Sequence, residues 1–259
     1  MGLSSLFLNE EHQQILANEV KNKNYTRISD EPIQFENIVI VSDGFNFRWK
    51  HLAIAKFPRN VAVFAINRAL KNWKLMSRDL DVSVQRPVNA YVINNPFTEA
   101  ISYLPNSYFP ACIASSRTNF RFLSKYTGNK YIYEPIPERD FGTEKKERYF
   151  IDDYRNPVCA AIGLAFRFKV KKLMLVSCDD SFEEQKDFAE QLPNGLWTYP
   201  QHLRAQEIID ANLYWLTHQD EQKVAVADWS DGAKYNNATY ITSEEEAIRF
   251  FIEEGTSND

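Results

Sequence analysis

The sequence predicts an α/β fold: a doubly wound, mostly parallel sheet with helices on both faces. Three observations predict it. Several runs of strand length are continuously apolar, such as Val61-Ala62-Val63-Phe64-Ala65-Ile66, and such runs belong to strands covered on both sides. Helical stretches of 3.6-residue period fall between those runs. Polar clusters follow strand after strand, where an open parallel sheet presents its ligand-binding edge.

The elements follow in order. Residues Asn9 to Lys23 predict a polar helix, with Asn9 as cap and Glu10 and Glu11 in the first turn, where the helix dipole favours them. An extended linker follows, with Pro32 near its end. Strands are expected at Ile38–Val41, Val61–Ile66, Ala90–Ile93, Ala111–Ala114, Lys130–Tyr133, Leu173–Val176 and Lys223–Ala227. Helices are expected at Arg68–Met76, Thr118–Lys125, Pro157–Phe168, Phe182–Gln191, His202–His218 and Ser243–Glu253. Ser243 with Glu246 forms a capping box at the start of the last one. This divides the chain into an N-terminal helix and linker (1–36), the α/β domain (37–242) and a C-terminal helix and tail (243–259). Residues 134–155, "EPIPERDFGTEKKERYFIDDYR", break the rhythm as a long charged loop, of the kind that serves as a lid or partner surface.

Bulk properties exclude several classes. The 259 residues are 44% hydrophobic and 25% charged, as in an ordinary globular protein. A net charge of −5 argues against a nucleic-acid binder. No apolar run approaches the roughly 20 residues of a membrane span. The N-terminus lacks a secretory signal's basic and apolar regions, and its Met-Gly start places Ser5 one position early for myristoylation. Cys112, Cys159 and Cys178 are odd in number and apolar in setting, so free thiols and a cytoplasmic location are expected. The four histidines show no metal-ligand spacing.

The candidate site residues are those after the strands. Ser42-Asp43-Gly44-Phe45-Asn46 follows the first; by spacing alone it reads as a plain turn rather than a phosphate loop, since it has neither a dinucleotide fingerprint nor a phosphate-loop pattern. Asn67-Arg68 opens a helix, either as cap and surface cation or as a fork for a phosphate. Asn94-Asn95 leads into a proline, as a turn or as amides that read a sugar or base. Ser115-Ser116-Arg117 brings hydroxyls and a cation to a helix start, which suits an anion. Asp179-Asp180 reads as a helix cap or as carboxylates for Mg²⁺ beside a diphosphate. Ser230-Asp231-Gly232 is a further turn with ligand access.

Five stretches together resemble one family: "VFAINRALKNWKL", "VNAYVINNPF", "NPVCAAIGLAFRFKVKKLMLVSCDDSF", "YPQHLRAQEIIDANLYWL" and "DWSDGAKYNNATYI". It groups the archaeal 6-hydroxymethylpterin diphosphokinases (MptE-like proteins) with the motility-associated-factor glycosyltransferases, and more distantly resembles sialyltransferases. The resemblance spans residues 37 to 241. It implies a Rossmann-like transferase with an activated nucleotide donor: ATP with Mg²⁺ in the diphosphokinases, a nucleotide sugar, often a CMP-linked nonulosonic acid, in the glycosyltransferases. The family's first loop reads close to Gly-x-Gly-Pro-Ser-Leu. Here Gly44 matches one glycine and Asn46 stands near the Ser, while the Pro and the other Gly are absent.

The expected function is therefore a nucleotide-dependent transferase, with a sugar ahead of a diphosphate as the group moved. Ser42, Asp43, Gly44, Asn46, Ser115, Ser116 and Arg117 would hold donor phosphates. Asn67, Arg68, Asn94 and Asn95 would position donor or acceptor, which is a glycan, protein or small molecule. Asp179 or Asp180 would bind Mg²⁺ or act as general base. The alternatives are the pterin diphosphokinase reaction and a binding protein that kept the fold and lost catalysis, motivated by the altered first loop.

Overall fold

The computed structural model describes residues 3–28, 35–44, 47–77, 86–105, 109–135, 150–151, 153, 156–178, 183–192, 194–218, 223–232 and 234–253. Its strands are β1 (Thr26–Arg27), β2 (Asn37–Val41), β3 (Val61–Ile66), β4 (Ala90–Ile93), β5 (Ala111–Ser115), β6 (Lys130–Pro135), β7 (Phe150–Ile151), β8 (Lys172–Val176), β9 (Glu190–Gln191), β10 (Trp197–Thr198), β11 (Ala225–Trp229) and β12 (Thr239–Tyr240). Its α-helices are α1 (Leu3–Asn22), α2 (Phe47–Ile54), α3 (Ala69–Ser77), α4 (Phe120–Lys125), α5 (Pro157–Arg167), α6 (Pro200–Thr217) and α7 (Glu244–Ile252). A 3₁₀ turn covers Thr98–Tyr103.

One sheet runs in the order β1-β6-β5-β4-β3-β2-β8-β11-β12, with β7 beside β6, and every pairing in it is parallel. The chain starts its central path at β2, winds outward to β6, and returns through α5 to β8 on the other side of β2. The β2/β8 crevice is thus the topological switch point, in register from Asn37↔Lys172 to Val41↔Val176.

Strand side chains alternate between two cores. Val39, Val41, Val63 and Ala65 face α2, α3, α4 and α7 through Ile54, Leu70, Trp73, Phe122 and Phe251. Ile38, Ile40, Phe64 and Ile66 face α5 and α6 through Val158, Ile162, Leu164, Ile209 and Leu213. Two apolar layers explain why the strand sequences do not alternate. Cys112, Cys159 and Cys178 are buried free thiols within these layers.

Four readings are corrected. Residues 183–189 of the expected helix 182–191 form bends and a turn, and 190–191 is β9, paired antiparallel with β10. Nearly every side chain there is exposed, with Phe188 at 92%, so no apolar stripe exists to hold a helix on the body. Helix α2 was not expected, because two of its buried positions are Lys50 and His51, which hide the amphipathic pattern. Helix α1 begins at Leu3, so Asn9 lies inside it and Glu10 and Glu11 are not in its first turn. The last large strand, β11, runs two residues later than the expected Lys223–Ala227.

Helix α1 does not stand apart from the sheet. Asn22, fully buried, donates from Nδ2 to the Ser116 carbonyl (2.9 Å) and the Thr118 carbonyl (2.7 Å). Asn18 donates to the carbonyls of Pro96 (3.0 Å) and Arg117 (3.1 Å). These bonds tie α1 across the loops after β4 and β5. Asn22→Ala leaves two buried carbonyls without a donor and is expected to cost about 2 kcal/mol. Urea unfolding measures it; a loss under about half a kcal/mol would mean that α1 is not held at this edge.

Candidate functional site

Because the sheet is parallel, the loops after β2, β3, β4, β5, β8 and β11 emerge at one edge. A cleft of about 200 Å³ opens there. It is lined by Asn67 from the end of β3, Asn94 and Asn95 from β4, Ser115 and Arg117 from β5, Pro157 at the start of α5, Ile15 of α1, and the carboxylate residues Glu99 and Asp153. The structure therefore brings Asn67, Asn94, Asn95, Ser115 and Arg117 together over β3–β5, beside the switch point, with α1 as one wall.

At the switch point itself Ser42 and Gly44 donate from their backbone N–H groups to the carbonyls of Val176 (3.0 Å) and Ser177 (3.2 Å). These bonds close the crevice between β2 and β8. Asp43 is half-buried beside Arg68; burial raises its carboxyl above the ordinary value, opposed by a backbone hydrogen bond and the Arg68 guanidinium. Arg68 is exposed and lies over the Tyr103 ring at 5.5 Å. Asn46, Asp179 and Asp180 lie outside the described residues. So does most of the 134–155 loop, although β7 and Asp153 belong to it and are described.

Two residues at this edge hold left-handed backbone: Asn67 at φ 46° and Ser177 at φ 52°. That conformation costs a non-glycine residue of order 1 kcal/mol and clusters where a site needs it. Asn67 also buries its Oδ1 with no hydrogen-bond partner among the described residues. A ligand N–H or O–H in the cleft would satisfy that atom.

The cleft's floor is a buried polar chain. Tyr133, on β6, donates its hydroxyl to Asp153 Oδ2 at 2.8 Å, and Asn94 Nδ2 lies 3.5 Å from the same oxygen. The Ser115 hydroxyl bonds to the Tyr133 phenol. Burial, then the Asp153 carboxylate, hold the Tyr133 phenol well above its ordinary range, so it stays a donor. Asp153 is only 5% exposed. Its own carbonyl accepts from Asn156 N–H at 2.6 Å, and Asn156 caps α5 through its side chain. Sequence reading missed Asp153, which stands next to an identical neighbour, Asp152, in a charged stretch. The cap sequence Asn156-Pro157 three residues on was the available signal.

Other predicted residues are engaged within the fold. Arg117 Nε pairs with Glu19 of α1 at 3.0 Å. Asn95 accepts from Phe97 N–H (2.8 Å) and donates to Glu99 (2.8 Å), which is turn chemistry. Ser116 is buried, with its Oγ unpartnered among the described residues. After β11, Asp231 pairs with Lys50 of α2, a lysine whose side chain is fully buried. Among the described residues no group of three His, Cys, Asp or Glu side chains could hold a metal ion. No helix among them is long and apolar enough to cross a membrane.

Comparison with known proteins adds one likeness. No protein-family model and no curated protein matches the sequence. Among solved structures, the chain is similar to the MAf glycosyltransferase from Magnetospirillum magneticum AMB-1, with a TM-score of 0.66 and 13% sequence identity over 90% of this chain. The chain spans 38% of that protein's length. At this identity the likeness establishes the α/β architecture alone.

Proposed function

We propose that this chain is a nucleotide-dependent glycosyltransferase, moving a sugar from a nucleotide-sugar donor to a hydroxyl acceptor on a glycan, protein or small molecule. One observation carries it: a cleft at the carboxyl edge gathers Asn67, Asn94, Asn95 and Ser115 around the buried carboxylate of Asp153. Amides and a carboxylate suit the hydroxyls of a sugar. The likeness in fold to a glycosyltransferase is compatible with this reading, and CMP-linked sugars are the first donors to try.

In this reading the donor's phosphates lie toward Arg68 and the Ser42–Asn46 loop, since Arg68 is an exposed cation just after β3 whose charge reaches Asp43 of that loop. Arg117, paired with Glu19, is less suited to a phosphate than its place in the sequence suggests. Asp179 and Asp180 would hold Mg²⁺ beside the donor's diphosphate. The three buried thiols fit a cytoplasmic setting.

A thermal-shift screen against CMP-, UDP- and GDP-sugars, with and without Mg²⁺, tests the proposal. A donor at about 100 times its Kd stabilises the fold by roughly 2.7 kcal/mol. Stabilisation by ATP and Mg²⁺, with AMP released in the presence of a hydroxymethylpterin, would replace it with the diphosphokinase reaction. No shift with any nucleotide would leave the binding protein. Arg68→Ala is expected to weaken the donor that binds about 10- to 100-fold, the worth of a charge-assisted phosphate contact. Unfolding should be unchanged, because the side chain is exposed.

A further inference from the structure

We infer that Asp153 is the general base that takes the acceptor's hydroxyl proton; the inference rests on the glycosyl-transfer reading. In the step, the acceptor oxygen bonds to the sugar's anomeric carbon and the bond from that carbon to the donor phosphate breaks. The nucleotide leaves with the bonding electrons, and the hydroxyl proton passes to the Asp153 carboxylate. No further reactant is needed.

The described carboxylate residues of the cleft are Glu99 and Asp153. Glu99 is exposed at the rim and engaged by Asn95. Asp153 sits on the floor and is held from three directions: the Tyr133 hydroxyl, the Asn94 amide, and its own carbonyl bound to the capped start of α5. The Tyr133 hydroxyl and the Asn94 amide both donate to one carboxylate oxygen, which fixes the group's orientation. The side chain is fixed before substrate arrives, so no reorganisation is needed when the proton moves. Tyr133 is its positioning residue. It comes from a neighbouring strand end and is itself buttressed by Ser115.

The plainer account is that Asp153 only anchors Tyr133. Asp153→Asn separates the two, because the amide oxygen still accepts from Tyr133 while the base is gone. The assay counts nucleotide released from CMP-sialic acid, UDP-glucose and GDP-mannose, with lactose as acceptor, together with donor affinity and the urea midpoint. The expected result is a fall of about 10²- to 10⁴-fold in kcat, with donor affinity and midpoint near wild type, and loss of the acid limb of the pH–rate profile. Tyr133→Phe should keep activity within about tenfold and move the acid limb to higher pH, because the carboxylate loses a donor.

Asp153→Asn at a third or more of wild-type kcat overturns the inference and leaves the glycosyltransferase standing. If Asp153→Asn does not fold, an unmoved acid limb in Tyr133→Phe overturns it instead. A wild-type chain that releases no nucleotide from any donor removes the transfer reading, and the base with it.

Discussion

Lys50→Ala is expected to destabilise the fold by about 2–4 kcal/mol, the cost of truncating a fully buried long side chain and removing a donor from a buried carbonyl. Lys50 has 0% exposure; its Nζ donates to the Trp229 carbonyl at 2.9 Å and pairs with the Asp231 carboxylate. Its ammonium lies 5.5 Å from the Trp49 ring and 5.7 Å from the Trp229 ring. Alanine removes the charge, leaves the carbonyl short of a donor and opens a void among the aromatics. Lys50→Met keeps most of the stem's volume, and Asp231, at 30% side-chain exposure, can turn to water. Methionine should therefore cost less, about 1–3 kcal/mol. Urea midpoints for the pair decide it: an Ala cost under about 1 kcal/mol would mean that the lysine is not buried as described. The bond also joins the helix after the first loop to the end of β11.

Acid should weaken the fold through His51, by on the order of 2–3 kcal/mol between pH 7.5 and pH 4.5. His51 is 1% exposed, packed 4.2 Å from the Trp73 ring at 88° and 6.1 Å from Phe47. Burial pushes its imidazole down to about 4. The unfolded chain's imidazole charges near its ordinary value of 6.5. Between those values the unfolded state holds the extra proton. Stability is whole above about pH 6.5, falls as pH falls toward 4, and levels off below. Asp43 works against this, since its raised carboxyl takes a proton earlier in the folded chain than in the unfolded one. Urea unfolding of wild type and His51→Gln at both pH values isolates the histidine. Equal acid losses in the two would show that another group is responsible.

The sequence was most legible where local chemistry decides the outcome. Val61–Ile66 and Ala90–Ile93 fall where their apolar runs place them, because a run buried on both faces can only be an interior strand. Ser243 caps α7 from its side chain as the capping box requires. The expected helix over 182–191 failed for want of any layer to pack against. Helix α2 escaped notice because burial of Lys50 depends on Trp229 and Asp231, 179 and 181 residues away. No local pattern announces such a partner.

The same division runs through the site. By itself the sequence determined the strands, their polar sequels and thus the edge where Asn67, Asn94 and Ser115 emerge, since period and turn chemistry are local properties. Only the tertiary structure decided which of these share a cleft, that Glu19 pairs with Arg117 from 98 residues away, and that Asp153 lies on the cleft floor. Those outcomes depend on which chain segments meet and which groups lose water in meeting, and neither is encoded in any short window of residues.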